Sequence, residues 1–324
     1  MGKKQIAFFC SCFLVFAVFA EKNLIKRELI NSENMQSINL MLSFETVEIQ
    51  EYLSSDDVTI EIYGNNKEFI PAIKFADSVL AMKSVPINFW NLKIHISCKV
   101  IIYIPSGKKL DKVHVGLSSG SLKMSNINVN KIKLTSTSGS ISTQNISAQD
   151  FVLIESTSGS IKCDELKAKN SVKAHSSSGS INIESVESDT IVCESTSGSI
   201  KIEELYCDYA DLHSTSGSLK AHDIAANYFD FSTTSGSIFA EFEIAPSADS
   251  SINSTSGSVE IIVPESENYK FHFSSNSGTL RNKIENMRKS LRNGFTYTKT
   301  QSPKGGSPAQ INVHTTSGNI TLDD

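Results

Sequence analysis

The chain has 324 residues and carries 30 Lys and Arg against 35 Asp and Glu, a formal net charge of −5, with 39% of its residues hydrophobic. Acids and bases are interspersed, which excludes the concentrated basic footprint of a nucleic-acid-binding protein. The length suits one large domain or two modest ones.

The first twenty residues read as a secretory signal: Lys3 and Lys4 form a positive start, Ile6 to Phe19 an apolar run, and Val18-Phe19-Ala20 a small-residue cleavage site. Cleavage is expected after Ala20. The run of 14 residues is short for a bilayer span, which needs about 20, and no later stretch is long and apolar enough. Cys10 and Cys12 lie inside the run with apolar sequence after them, unlike a lipoprotein cysteine.

Residues 21–105 alternate apolar and polar in Ile38 to Gln50, Val58 to Tyr63 and Leu92 to Pro105, the period of strands. Terminal repeats of a stacked array are atypical because they cap it, so this segment reads as divergent β-coils continuous with the rest of the chain.

From residue 106 to 324 one motif recurs. Glycines in Ser-Gly-Ser or closely related settings stand at Gly120, Gly139, Gly159, Gly179, Gly198, Gly217, Gly236, Gly257, Gly278 and Gly318. Their spacings are 19, 20, 20, 19, 19, 19, 21, 21 and 40, so the last gap reads as two periods with one degenerate turn. A fixed period near 20 signals a solenoid.

Counted from each glycine, position −7 holds Ile132, Val152, Val172, Ile191 and Phe229, and position −5 holds Leu134, Ile154, Ala174, Cys193, Leu212 and Phe231. Position +2 holds Ile141, Ile161, Ile181, Ile200, Leu219 and Ile238; position +4 holds Cys163, Ile183, Ile202, Ala221 and Ala240. The inward parity is odd before the glycine and even after it. The glycine is therefore expected to absorb one register step in a left-handed corner or bulge. Serines at −3 and −1 share the inward parity and are expected to stack their hydroxyls beneath the corner.

A further apolar position at +7, with Ile127, Ile146, Leu166, Val186, Leu205 and Ile224, predicts a third short face. Each period is one coil, and the predicted fold is all-β: a parallel β-helix-like solenoid, a rod about 50 Å long at a strand spacing of about 4.8 Å. The edge strands at its two ends need cover, which a partner chain is one way to supply.

Helix signals are nearly absent. Arg281 to Leu291, with Arg281, Lys283, Arg288, Lys289 and Arg292 against Glu285, reads as a loop or short helix extruded from the stack, and Gln301 to Pro308 as its Pro/Gly-rich return. This irregular basic insertion, 281–309, reads as a solvated segment in preference to a patch for polyanions. Cys98, Cys163, Cys193 and Cys207 lack metal-ligand spacing, and the three inside the repeats pack as small hydrophobes, favouring free thiols over a disulfide framework.

Val100-Ile-Ile-Tyr-Ile-Pro105, Lys112-Val-His-Val115 and Ser119-Gly-Ser121, followed by many Thr-Ser-Gly-Ser corners, resemble the bacterial putative-adhesin family of unknown function called the toastrack domain, DUF4097. The related auto-transporter adhesin head domain is similar. Glu260-Ile-Ile-Val-Pro264 with Ser277-Gly278 repeats the layout, and Val313-His-Thr-Thr-Ser-Gly318-Asn-Ile320 resembles the family's closing strand pair. The resemblance spans residues 35 to 324. It implies a parallel β-helix-like solenoid on an exported or surface protein, and brings no catalytic residue with it.

Parallel β-helices also host polysaccharide-cleaving enzymes, which need carboxylates gathered on one outer face. Position +5 supplies Asp164, Glu184, Glu203 and Glu241 with His222 among them, beside Lys162, Asn182, Lys201 and Lys220 at +3. The simpler reading is a solvated face whose charges offset each other. Position −4 alternates Glu155, His175, Glu194 and His213, read as favourable outward neighbours in preference to a metal or pH-sensitive ladder.

No nucleophile elbow, zinc-protease helix motif, phosphate loop or dinucleotide fingerprint occurs. The sequence thus names no catalytic residue, metal site or cofactor. It points to a non-catalytic exported solenoid, located in the periplasm, at the cell surface or outside the cell, that binds a protein or glycan. The alternatives are a periplasmic accessory or sensor domain and, third, a polysaccharide-active enzyme using Glu184 and Glu203.

Overall fold

Between one repeat glycine and the next, the chain winds through three short faces. The computed structural model describes residues 23–53, 56–86, 96–264, 269–284, 288–290, 295–299 and 309–323. The expected signal segment, residues 1–20, lies outside them. Among the described residues there are 24 strands, all in one continuous sheet, and one 3-10 turn at Lys67–Phe69. No α-helix occurs among them.

The first face carries the residues at +2 and +4, the second those at +7 and +9, and the third those at −7, −5 and −3. Residues in equivalent positions pair in parallel register: Ile161 with Ile181, Ile181 with Ile200, Ile200 with Leu219 on the first face, and Val172 with Ile191, Ile191 with Ala210 on the third. All of these side chains are buried. Stacking thus merges apolar triplets too small to exclude water alone into one column.

The three corners differ. Between the first and second faces Asn126, Asn145 and Asp223 adopt left-handed backbone, φ 55, 51 and 43°, a conformation that Asn and Asp tolerate better than other side chains. Between the second and third faces, Asn and Asp amides and carboxylates bond from coil to coil: Asn130 to Asp111 at 3.0 Å, Asn170 to Asp150 at 2.8 Å, Asn227 to Asp208 at 2.7 Å.

The glycine corner works differently from the left-handed turn expected of it. Gly107 is the sole described glycine with positive φ, and it lies outside the repeat. What requires glycine is the neighbour: a Cβ added at Gly139, Gly159, Gly179, Gly198, Gly217, Gly236 or Gly257 would stand 1.7–2.2 Å from the carbonyl oxygen of the preceding corner glycine. Backbone lies on backbone there, with no room for a methyl group.

The hydroxyls beneath the corner are also arranged differently. At −3, Ser136, Ser176, Ser195, Ser214, Thr233 and Ser254 are buried and accept the corner amide, as from Gly179 to Ser176 and from Gly198 to Ser195, both at 2.9 Å, whereas the buried Ser156 hydroxyl has no hydrogen-bond partner among the described residues. Several also donate to the corner carbonyl one coil away, Ser214 to Gly198 at 3.1 Å and Thr233 to Gly217 at 3.2 Å. The −1 serines, among them Ser138, Ser158 and Ser178, point to solvent. The corner breaks the alternation two residues before the glycine, so an inward parity counted straight through it does not hold.

Both ends of the stack depart from chain order. Ser37–Leu42 and Thr46–Tyr52 form the third and first faces of a coil inserted between Val79–Lys83 with Cys98–Pro105 on its outer side and the Gly120 coil on its inner side. At the other end, Gln310–Ser317 and Ile320–Asp323 slot between the Gly257 coil and the strands Tyr269–Ser277 and Leu280–Asn282. The 40-residue gap therefore does not hold two consecutive coils: the Gly278 coil is outermost and Gly318 returns beneath it.

The described residues of the expected insertion 281–309 form strands in place of the expected helix or extruded loop; residues 285–287, 291–294 and 300–308, with the expected Pro/Gly-rich return, lie outside the described residues. Leu280–Asn282 continues the stack, and Arg288–Ser290 with Phe295–Lys299 forms an antiparallel pair laid against Tyr269–Ser277. It covers an edge that would otherwise offer unpaired backbone. Nor are residues 23–76 all coils, since Asn23–Asn31, Asp57–Gly64 and Ala72–Ala76 pair antiparallel as lids.

Replacing Ser176 by Ala is expected to cost about 1–3 kcal/mol, because it orphans the buried Gly179 amide, whereas Ser178→Ala should shift stability by no more than about 0.5 kcal/mol. Urea denaturation of the two variants checks the difference.

Candidate functional surface

Because inward positions are filled by core, chemistry is confined to the outward columns. On the first face the +5 column does come together. His222 Nδ1 lies 2.8 Å from Glu241 and its Nε2 3.9 Å from Glu203, one imidazole between two carboxylates. Lys201 pairs with Glu203, and Lys162 stands 3.9 Å from Asp164. The Lys201 ammonium, with help from His222, holds the Glu203 carboxyl below the usual range. A glycosidase acid needs the opposite shift. Lys162, Asn182, Glu184, Lys201 and Glu203 line a shallow, open depression.

The −4 column lies on the third face. His175 Nδ1 approaches Glu194 at 3.4 Å, Lys133 approaches Glu155 at 3.8 Å, and His213 Nδ1 bonds to Ser232 at 2.8 Å. Among the described residues no set of three His, Cys, Asp or Glu side chains converges as a metal site would require. Cys163, Cys193 and Cys207 are free thiols, Cys207 half-buried and the other two buried, as is Cys98; burial pushes the Cys163 and Cys207 thiols up to about 12.

The most distinctive outward group stands beside the −4 column and is not among the residues singled out by the repeat pattern. Tyr209 and Tyr228 occupy matched positions in adjacent coils, with ring centroids 4.8 Å apart and planes 13° from parallel. Two residues further along each strand, Asp211 and Asp230 are direct cross-strand neighbours. Partial burial, then the charges of Asp230 and Glu194, raise the Asp211 carboxyl above its ordinary value. Ser251 donates to Asp230 at 2.6 Å, and among the described residues neither aspartate has a lysine or arginine ion pair. The signal in the sequence is Tyr-x-Asp recurring after 19 residues.

Glu45 is a second residue that the repeat pattern does not pick out. It is fully buried and occupies the corner position of the inserted N-terminal coil, where every repeat has glycine. Its carboxylate accepts the amides of Ser43 and Phe44, each at 2.9 Å, and the Ser84 hydroxyl at 2.6 and 2.7 Å. The repeat glycines point their missing Cβ toward the preceding corner. No described corner precedes Glu45, so a side chain fits there and caps the column.

Outward columns on a filled core define an all-β solenoid. The chain belongs to the Toastrack DUF4097 family, whose model matches residues 35–191 and 172–323. No curated protein matches it. Among solved structures, it is similar to a putative cell adhesion protein from Clostridium sporogenes, with 10% identity, 92% of this chain and 97% of that one covered, and a TM-score of 0.31. It is also similar to two Parabacteroides distasonis proteins: a putative adhesin with 11% identity, coverage of 91% and 96% and a TM-score of 0.39, and a putative lipid binding protein with 13% identity, coverage of 92% and 96% and a TM-score of 0.34. No helix among the described residues is long and apolar enough to cross a membrane.

Adjacent like charges on a sheet are destabilising by a few tenths of a kcal/mol, so Asp211→Asn is expected to stabilise the fold at pH 7 by about 0.5 kcal/mol. Because the native pKa of Asp211 is raised, the penalty is complete above that value and fades as pH falls from it to the ordinary carboxylate value. Urea melts of both proteins should therefore diverge at neutral pH and coincide in acid.

Proposed function

We propose that this protein is an exported, non-catalytic binding rod that attaches to a protein or glycan at a cell surface or envelope through its third outer face. One observation carries the reading: the stacked Tyr209 and Tyr228 lie beside the Asp211–Asp230 pair, with His213 two residues further along. Aromatic edges and carboxylates without basic partners among the described residues are groups that hold sugar hydroxyls or cationic side chains. The rigid ladder fixes them in place before a ligand arrives, which lowers the ordering cost of binding. Extended solenoid faces recognise by repeated contacts, so affinity accumulates along the rod.

Absence of catalysis is supported by the first face, where Glu203 is ion-paired and Glu184 is exposed in an open depression. A periplasmic accessory role would use the same face on an envelope partner.

The test is binding of the purified chain to glycan arrays and to intact cells, comparing wild type with Tyr209→Ala/Tyr228→Ala and with Lys162→Ala on the first face. The tyrosine variant should bind at least about tenfold more weakly, the loss of one or two hot-spot side chains, and Lys162→Ala should bind as wild type. Equal binding by both variants, or hydrolysis of a polysaccharide that is abolished by Glu184→Gln/Glu203→Gln, would overturn the proposal.

A further inference from the structure

The outermost strand at the N-terminal end of the first face is Asn23–Asn31. It pairs antiparallel with Asp57–Gly64, and no described strand covers its other edge. Such an edge is a template for a further strand. Its sequence, Asn-Leu-Ile-Lys-Arg-Glu-Leu-Ile-Asn, places the oppositely charged Lys26 and Glu28 symmetrically about Arg27.

We propose that this edge pairs antiparallel with the same strand of a second copy of this chain, joining two rods end to end about a two-fold axis through Arg27. A two-fold contact requires that residue i meet j while j meets i, and this strand satisfies the requirement. With Arg27 opposite itself, Lys26 of each copy falls opposite Glu28 of the other. Within one copy Lys26 and Glu28 already lie 2.5 Å apart on the same side of the strand, so the joint gathers two lysines and two glutamates into an alternating group.

The irregularity in the strand reinforces the match. The pairing with Asp57–Gly64 shifts register between Leu24 and Lys26, with Ile25 as the extra residue. Counting across that step places Leu24, like Leu29 and Arg27, on the outward side. Leu24 and Leu29 are 47% and 64% exposed, and in the pairing centred on Arg27 each meets the other's counterpart. The contact covers the apolar surface that the free strand leaves in water.

Arg27 facing its own copy is not a repulsive defect. Each guanidinium is neutralised within its own chain by Glu61, at 3.0 and 2.5 Å. A joint this narrow falls below the area of a permanent interface, so the dimer is a weak one that assembles across the micromolar range. Two rods joined at their N-terminal ends would carry two copies of any binding face, which raises avidity without a new contact.

The experiment is sedimentation velocity on the secreted chain over a concentration series. Wild type should double in mass as concentration rises, with a frictional ratio that increases because the product is longer. Glu28→Lys places lysines opposite lysines and should weaken the dimer at least tenfold; Lys26→Glu/Glu28→Lys restores the alternation and should restore the dimer. Leu29→Asp should give monomer, and since that side chain is largely exposed, circular dichroism should show an unchanged fold. A wild type that stays monomeric throughout, or a dimer indifferent to Glu28→Lys and Leu29→Asp, overturns the proposal. Monomer status would leave the tyrosine-dependent binding by a single rod intact, so the two proposals fail separately.

Discussion

The structure depends on one steric constraint: successive coils touch, backbone to backbone, at a corner where a methyl group does not fit. Elsewhere in the coil a side chain separates the backbone from the core, and substitutions among Ile, Val, Leu, Ala, Cys and Phe are visible from layer to layer. At the corner there is no such tolerance, since the space a Cβ would occupy already holds the neighbouring carbonyl oxygen. Corner spacing and strand spacing must agree, or the parallel ladders on all three faces fall out of register.

That constraint explains the composition around it. A backbone packed so tightly cannot reach water, so the corner amide and carbonyl need internal partners. At Ser176, Ser214, Thr233 and Ser254 the −3 hydroxyl supplies them with one small group, accepting from its own corner and donating to the neighbouring one. Ser and Thr are the side chains that do both in so little space. Glu45 marks the limit of the rule: at the first described corner of the column the residue is large, fully buried and hydrogen-bonded to the Ser43 and Phe44 amides and the Ser84 hydroxyl.

The body of the rod is legible in the sequence because its determinants are local and repeated. Spacing of the glycines, alternation on the flanks and the additional apolar position at +7 specify a three-faced coil, and the apolar columns at −7, −5, +2 and +4 are the buried ones. The differences have identifiable causes. Ser138 and Ser178 point outward, against expectation, because the corner interrupts the alternation that assigned them inward. The interleaved ends are invisible in the sequence because the pairing of residues 37–52 with 79–105, and of 269–282 with 310–323, is long-range and leaves no periodic trace. The outward Tyr209, Tyr228, Asp211 and Asp230 are legible in principle, but two copies in adjacent coils are a weak repeat beside ten glycines.

The most direct measurement is the unfolding free energy of alanine substitutions along the corner column. Gly179→Ala and Gly198→Ala should each lose several kcal/mol or fail to fold, as overpacking against fixed backbone demands, while Gly107→Ala, with open space for its Cβ, should lose only about 1 kcal/mol through its left-handed backbone. Equal, small losses at Gly107, Gly179 and Gly198 would contradict the account, because they would mean that the coils do not meet at the glycines.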